Sequence, residues 1–466
     1  MRYLTTALCL LISFSFSMAD QLKAGAFAQR ITPEKLPISL NGGMSDRLID
    51  KISDHLHARA LVLDDGTSGI AIVVVDSCML PRELVENAKQ LASKATKIPV
   101  ENILISATHT HSAPTSTGVF QSDPDMDYVK FLTIKIAAAI ETAWKRREPA
   151  QIGFISASNS KQVFNRRWFK EMGTIRTDPF GGTTDKVQMN PGYQAKGLLK
   201  PAGPIDPEIA IVAVKTLKGN PLALLANYSL HYVGGNPGIS ADYFGAFAEM
   251  VQSRLAPKSD RFVAMMSNGT SGDINNINFA GEPIKRAPGE QIRIVAEDIT
   301  NNVLQAWKKA EFIDSIRLSA ATADLQLGVR KADANGLARA KEVLALQKDP
   351  KKLAGMDAIY ARESQLLDKY PNQVPVKVQV LKLGDQMIAA IPCEVFVEIG
   401  LELKRTLPAK RVFTIELANG YNGYLPTPAQ HELGGYETWR ARSSYLETGA
   451  SPVIVKQLQE LAEKLK

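Results

Sequence analysis

Apolar runs of strand length alternate with amphipathic stretches along the first two thirds of the chain. Runs rich in Val, Ile, Leu and Ala predict strands, and they lie at 58–63, 70–75, 103–106, 152–156, 209–215, 222–231 and 262–266. Apolar positions at helical spacing predict helices, which lie at 81–94, 127–147 and 290–309 and from residue 242 onward. Strands that alternate with helices are typical of a layered α/β domain.

The last third of the chain continues this pattern with one interruption. Residues 332–368 are rich in Ala, Leu, Lys and Glu and predict a helical hairpin that breaks at Asp349 and Pro350. Beyond it, strands are predicted at 376–383, 387–392 and 412–416, and a helix at 394–405. We therefore expect an α/β fold, specifically a layered α/β sandwich with mixed sheets and a helical insertion at about 332–370, built as a single domain over residues 20–466.

Two polar segments between these elements predict functional loops. Residues 164–202 are rich in Gly, Lys and Thr, and a loop of this length in a compact domain typically lies over a pocket. Residues 417–426 carry Tyr421 and Tyr424 in a glycine-rich stretch directly after a strand. Such a backbone is free to approach a partner closely. A structural role for the two tyrosines is the alternative interpretation.

The N-terminus has the pattern of a secretory signal peptide over residues 1–19. Arg2 precedes an apolar stretch from Leu4 to Met18, and Ala19 ends a small-x-small cleavage pattern before Asp20. We therefore expect a periplasmic or secreted protein. No later segment reaches transmembrane length without charges, so we expect no stable membrane insertion.

Composition limits the possible partners. The 466 residues are 45% hydrophobic and carry a net charge of +7 from scattered Lys and Arg. The one tight basic cluster, 145–147, ends a predicted helix, where cations favour the helix dipole, so we infer no nucleic-acid partner. Cys78 and Cys393 remain after the signal peptide, which permits one disulfide, but each follows an apolar run and fits a buried thiol better. No pattern indicates an oligomeric state.

The candidate chemistry lies where strands end in polar loops. The strand at 103–106 leads to His109 and His111, which would share one face if the strand continued. His231 ends the strand at 222–231, and Glu394 follows the strand at 387–392. Two histidines and a carboxylate are the ligand type of a catalytic zinc centre. The alternative is that neutral histidines simply cap strands and bind nearby carbonyl groups.

Several motifs, in order along residues 25–444, resemble those of the neutral or alkaline, non-lysosomal ceramidases, zinc amidases that hydrolyse the N-acyl bond of ceramide. The matching segments are Thr108-His109-Thr110-His111-Ser112, Asn165-Arg166, Asn227-Tyr228-Ser229-Leu230-His231, Pro392-Cys393-Glu394, Asn419-Gly420-Tyr421-Asn422-Gly423-Tyr424 and Tyr436-Glu437. The resemblance implies a ceramidase-like zinc hydrolase domain. Its implied Zn²⁺ ligands are His109, His231, Glu394 and Tyr424. His111, Arg166 and Tyr436 are the implied catalytic residues, which face or hold the substrate.

Two departures from the family pattern bear on mechanism and substrate. The family sequence Gly-Asp-Val-Ser-Pro-Asn has a serine beside the metal, whereas here Gly272, Asp273 and Ile274 are followed by Asn275. Asn275 is a further candidate catalytic residue, whose amide donates a hydrogen bond but forms no acyl intermediate, which leaves attack by water. The chain also stops soon after the zinc domain, without the family's C-terminal immunoglobulin-like domain, so we expect ceramide to be a poor substrate.

These observations predict a zinc-dependent hydrolase that cleaves an amide (N-acyl) bond by attack of zinc-bound water. The partner would be a small-molecule N-acyl substrate, such as a sphingolipid or another N-acyl compound. Two alternatives remain open at this point. One is a non-catalytic zinc-containing binding protein, and the other is an esterase or sugar-amide hydrolase with the same metal site.

Overall fold

A computed structural model describes residues 21–349 and 352–466. The predicted signal peptide at 1–19 and the predicted helix break at Pro350 lie outside the described residues. The strands are β1 (Lys23–Arg30), β2 (Ile38–Ser39), β3 (Leu48–Ile49), β4 (His57–Asp64), β5 (Gly69–Val75), β6 (Ile103–Ala107), β7 (Glu148–Ser158), β8 (Phe164–Asn165), β9 (Arg167–Lys170), β10 (Val187–Met189), β11 (Leu198–Pro201), β12 (Glu208–Thr216), β13 (Pro221–Tyr228), β14 (Val263–Asn268), β15 (Ile274–Asn275), β16 (Leu318–Gly328), β17 (Gln373–Leu383), β18 (Gln386–Ala390), β19 (Glu394–Val395), β20 (Arg411–Ile415) and β21 (Tyr424–Leu425). The helices are α1 (Arg82–Thr96), α2 (Met126–Lys145), α3 (Asp242–Leu255), α4 (Glu290–Trp307), α5 (Ala334–Ala345), α6 (Met356–Asp368), α7 (Val397–Thr406), α8 (Pro428–Leu433) and α9 (Ala450–Lys464).

The largest sheet has eight strands in the order β14-β13-β12-β7-β1-β4-β5-β6. Its two outermost pairs, β13–β14 and β5–β6, are parallel, and the pairs between them are antiparallel. The sheet is strongly curled, so that β14 at one edge contacts β5 and β6 at the other. Residues 416–419 join these edges, because the backbone N–H of Glu416 donates to Asn268 and that of Asn419 donates to Ile105.

A second sheet, β16-β17-β18-β20, packs against the inner face of the first. Leu61 and Ile72 of the first sheet share one buried hydrophobic cluster with Leu381 and Ile388 of the second. Helices α1 to α4 cover the outer face of the first sheet, and α7 and α9 cover that of the second. Both faces of each sheet are therefore buried, which explains the continuous apolar runs in their strands. The predicted layered α/β sandwich with mixed sheets is confirmed.

Two local predictions were wrong. The helix predicted at 394–405 begins only at Val397, and Glu394 lies instead in β19, which pairs in parallel with β21. The segment 164–202 is not a bare loop, because β9 pairs with both β10 and β11. The short strands in both segments form because they pair with other strands, which are either distant in the sequence or within an irregular segment. The local pattern of apolar residues therefore does not predict them.

The helical hairpin and the two cysteines agree with the sequence predictions. Helices α5 and α6 pack on each other within the predicted insertion. Cys78 and Cys393 are free and fully buried thiols. Within residues 21–349 and 352–466, no helix combines the length and the apolar character needed to cross a membrane.

Candidate metal centre

The chain turns sharply at the first histidine. Strand β6 ends at Ala107, and His109 has a left-handed backbone with φ 72°. The strand therefore does not continue through the two histidines, and the condition under which they would share one face of a strand is not met. Their rings meet nevertheless, with His109 Nε2 and His111 Nε2 3.1 Å apart. The left-handed turn at His109 thus brings the two imidazole rings together, as a continued strand would also have done.

Two further predicted ligands lie against His109. His231 follows β13, and its Nε2 is 3.2 Å from His109 Nε2. Glu394 Oε2 from β19 is 3.2 Å from the same nitrogen. Each of the three side chains is at most 3% exposed. These three donors come from residues more than a hundred positions apart and form a compact cluster with the donor chemistry of a metal site.

Hydrogen bonds fix the tautomers of the two histidines. His109 Nδ1 donates to the carbonyl oxygen of Cys78 at 2.9 Å, and His231 Nδ1 donates to that of Ser271 at 3.2 Å. In the neutral ring, a protonated Nδ1 leaves a lone pair on Nε2. With Nε2 unprotonated in both rings, two nitrogen lone pairs and the Glu394 carboxylate would face one another, a donor set that suits a metal cation.

The donor spacing fits zinc. Ligands at zinc distances in tetrahedral geometry lie about 3.3 Å from one another, close to the 3.2 Å separations of His109 from His231 and from Glu394. Glu394 Oε2 is buried and accepts no hydrogen bond of good geometry. Burial opposes a charge on His109, but the Glu394 carboxylate outweighs it and raises the pKa of His109 well above its usual value. The cluster therefore attracts positive charge.

Outer contacts hold the ligands in place, and sequence reasoning missed two of them. Glu416 accepts from the Ser271 hydroxyl at 2.6 Å and from the backbone N–H of Val395 at 2.7 Å, and so joins the residue whose carbonyl oxygen accepts from His231 to the strand that carries Glu394. Burial raises the pKa of Glu416 to about 8. Tyr421 donates to Glu394 Oε1 at 3.0 Å. One signal was present in the sequence, because Glu416, like Glu394, directly follows an apolar strand.

Tyr424, the fourth predicted ligand, lies beside the cluster. It pairs with Glu394 in the parallel register of β19 and β21, which places the two residues side by side. Arg166 Nη2 also donates to the Tyr424 hydroxyl at 3.1 Å. Burial raises the pKa of Tyr424 well above its usual value. The hydroxyl is thus held by a guanidinium beside the strand of the carboxylate ligand.

Arg166 is held in a buried ionic network. Its Nε donates to Glu437 Oε1 at 3.1 Å, and Arg167 donates to Glu437 Oε2 at 2.6 Å. All three side chains are at most 4% exposed. The Asn-Arg and Tyr-Glu motifs, far apart in the sequence, therefore meet through this carboxylate. Tyr436, next to Glu437, lines the cavity at the cluster.

His111 is placed by an aromatic neighbour and by a glycine. Its ring stacks on Tyr232 with centroids 3.6 Å apart and planes inclined by 15°. Gly42, at φ 96°, lies so close that a Cβ there would be 2.3 Å from the ring. Burial, together with the charges of His109 and Arg166, holds the pKa of His111 well below its usual value. His111 is therefore a neutral ring beside the ligands.

The structure does not bring Asn275 to the cavity. It lies in β15, where its Nδ2 donates to Asn190 Oδ1 at 2.8 Å and its Oδ1 accepts from the Ile277 N–H at 3.0 Å. Both ends of the amide are thus used in local structure. The cavity beside the cluster is instead lined by His109, His111, Glu394 and aromatic side chains.

Fold and site together define a mixed α/β protein with a buried metal-type cluster of two histidines and a carboxylate. No family model matches the chain. Neutral ceramidase A of Dictyostelium discoideum is 23% identical over 244 residues, which are 47% of this chain and 30% of that protein. The chain thus spans less than a third of that relative's length.

Solved structures give a wider match. The structure superimposes on the crystal structure of neutral ceramidase from Pseudomonas aeruginosa with a TM-score of 0.71 and 16% identity, over 96% of this chain and 74% of that one. A ceramidase complexed with C2 matches with the same TM-score of 0.71 at 15% identity, over 96% of this chain and 75% of that one. The chain has the neutral ceramidase fold, and the resemblance to this family is confirmed.

Proposed function

We propose that this chain is a zinc-dependent hydrolase that cleaves the amide bond of a small N-acyl substrate. The observation that carries the proposal is the convergence of His109 Nε2, His231 Nε2 and Glu394 Oε2, three buried atoms of the metal-ligand type. The ceramidase fold supports amide cleavage as the reaction. Reaction of water with the substrate breaks the C–N bond and gives a carboxylic acid and an amine.

His109, His231 and Glu394 would hold the zinc ion, with the Tyr424 hydroxyl beside them as the fourth candidate ligand. When bound, zinc supplies Lewis acidity that lowers the pKa of a water molecule and polarises a carbonyl group. Glu416 and Tyr421 would keep the ligands oriented, as outer partners of metal sites do.

The neighbouring side chains would assist the proton and charge changes. His111 Nε2, which lies 3.1 Å from His109 Nε2, would accept a proton from the water and later donate one to the amine nitrogen. Arg166 would place positive charge near the developing oxyanion, and Glu437 keeps this guanidinium in position. Tyr436 presents a hydroxyl from the cavity wall.

A cavity beside the cluster favours this hydrolase over the non-catalytic alternative. A structural zinc site is closed by four protein ligands, whereas a catalytic site keeps room for water or substrate. The cavity touches both His109 and Glu394 and has a volume of about 30 Å³. An esterase or sugar-amide hydrolase would use the same centre, and substrate panels separate these reactions. The predicted signal peptide supports a periplasmic or secreted location.

Metal analysis tests the ligand set. We expect about one zinc ion per chain in the wild type and loss of most zinc in His231→Ala and Glu394→Ala. His431→Ala is the matched control, since His431 lies in α8 and takes no part in the cluster. A full zinc content in both His231→Ala and Glu394→Ala would show that these residues do not bind the zinc ion.

Turnover tests the reaction. The zinc-loaded enzyme is incubated with ceramides, N-acyl amino acids, N-acetyl sugars and matched esters. We expect cleavage of an amide that chelation abolishes, and a loss of about a hundredfold in kcat for Arg166→Ala and for Tyr436→Phe with zinc content unchanged. Retained zinc without turnover on any amide or ester would favour the non-catalytic protein.

A further inference from the structure

A second group of metal-ligand side chains shares His109 with the cluster described above. Cys78 Sγ is 3.7 Å from His109 Nδ1, and His111 Nε2 is 3.1 Å from His109 Nε2. One ligand atom from each of Cys78, His109 and His111 lies within 4.8 Å of those of the other two. A thiol and two imidazoles therefore converge in a set that includes neither His231 nor Glu394.

Hydrogen bonds fix the backbone that carries this thiol. The carbonyl oxygen of Ser77 accepts from the backbone N–H of His109 at 2.9 Å. The carbonyl oxygen of Met79 accepts from the hydroxyl of Ser77 at 2.9 Å and from that of Ser116 at 2.5 Å. Cys78 lies between these two anchored residues and is fully buried. The thiol is therefore held beside His109 by the fold itself.

The three donors also share access to solvent. Cys78, His109 and His111 all line the cavity beside the metal cluster, and this cavity is open to solvent. Met79, which carries a thioether, lines the same cavity. A metal site needs an entry path as well as suitable ligands. The cavity provides this path to the second group, so an ion can reach the thiol without unfolding of the chain.

The two donor sets that share His109 differ in chemical softness. Thiolate and thioether groups select soft cations such as Cu⁺, whereas a carboxylate favours harder ions. The thiolate is the form of cysteine that binds metals, so the Cys78 thiol would release its proton to solvent as the sulfur–metal bond forms. No electron is transferred in this step. A soft cation is thus better matched to the set with Cys78 than to the set with Glu394.

We propose that Cys78, His109 and His111 form a second metal site, which binds a soft, thiophilic cation such as Cd²⁺ or Cu⁺. Because His109 belongs to both sets, a cation at the second site takes this ligand from the zinc ion, and zinc is released. The inference rests on the zinc ligands of the proposed function, but not on the bond that the protein cleaves. It makes the centre sensitive to soft metals.

Titration of the zinc-loaded protein with Cd²⁺ tests the site without turnover. Cadmium is redox-inert, and its bond to a thiolate gives an absorption band in the ultraviolet. This band and the zinc released to a chromogenic chelator are recorded together. We expect the wild type to form about one cadmium–thiolate bond per chain more than Cys78→Ser does, with release of about one zinc ion per chain.

Variants test the assignment to the three residues. Cys78→Ser should lose the band, and Cys78→Ala serves if the serine variant does not fold. Cys393→Ser is the matched control and should keep the band, since Cys393 is also a free, buried thiol but belongs to neither donor set. Loss of an outer partner of a metal site already lowers affinity about 10–100-fold, so His111→Ala should weaken cadmium binding to the thiolate by about tenfold or more.

Each outcome decides the proposal. Equal bands in the wild type and in folded Cys78→Ser would overturn it, as would a band that only Cys393→Ser removes. A band that depends on Cys78 while the zinc content stays full would overturn the shared use of His109. A wild type that binds no zinc, yet shows a band that depends on both Cys78 and His111, would support the second site while refuting the proposed zinc centre.

Discussion

Removal of the Glu437 carboxylate should destabilise the protein strongly. Glu437 is fully buried and pairs with two guanidiniums, those of Arg166 and Arg167, which are 4% and 0% exposed. Loss of one partner from a buried ion pair costs about 3–5 kcal/mol, because the remaining charge is left without compensation. Glu437→Ala leaves two such charges, so we expect a loss at or above the upper end of that range.

This loss is large relative to the total free energy of unfolding of a typical protein, about 5–15 kcal/mol. Urea unfolding of the zinc-loaded wild type and variant, followed by circular dichroism, measures it as a shift in midpoint at constant m-value. The urea midpoint of Glu437→Gln should lie between those of the wild type and of Glu437→Ala. Glutamine keeps the shape of glutamate and a hydrogen-bond acceptor, but it does not keep the charge.

The matched control is Glu297→Ala. Glu297 pairs with Arg254 at 2.9 Å, but the two side chains are 55% and 37% exposed, so the variant should change the free energy of unfolding by less than about 1 kcal/mol. A loss below about 1 kcal/mol for Glu437→Ala would refute the reasoning, because it would show that the two arginines need no buried counter-charge.

Two further predictions follow from single buried positions. Burial lowers the pKa of Lys89 from its ordinary 10.5 to about 7, so the unfolded state binds the extra proton between these values and stability should rise with pH across that window. Lys89→Met should abolish this slope and raise the free energy of unfolding at pH 7 by roughly 2–4 kcal/mol, measured by urea unfolding from pH 6 to 10; an unchanged slope would contradict it. Gly42→Ala should displace the His111 ring, which a Cβ would approach to 2.3 Å, and lower kcat about a hundredfold. The zinc content should stay constant. The control is Gly43→Ala, whose Cβ would meet nothing closer than 3.2 Å. Equal losses of kcat in the two variants would contradict a specific role for the His111 ring.

The sequence by itself determined the elements whose signal is local. Helix α1 was predicted at 81–94 and lies at Arg82–Thr96, because its apolar positions recur at helical spacing after a proline. The buried strand β5 was predicted from its run of Ile, Ala and Val, which is the composition of a strand covered on both faces. The α/β class followed from the order of such elements, and the candidate ligands followed from motifs that stand directly after strands.

Only the tertiary structure decided which of these residues meet. His109, His231 and Glu394 come together because the large sheet curls and brings its two edges to one place, a consequence of twist and packing that no local pattern contains. Glu394 is extended and not helical because β21, thirty residues later, supplies its hydrogen-bonding partner. The size of the cavity was also outside the reach of sequence, since it depends on how α6 packs behind Phe120. Contacts of this kind join residues far apart in the chain, and their geometry exists only once the whole core has assembled.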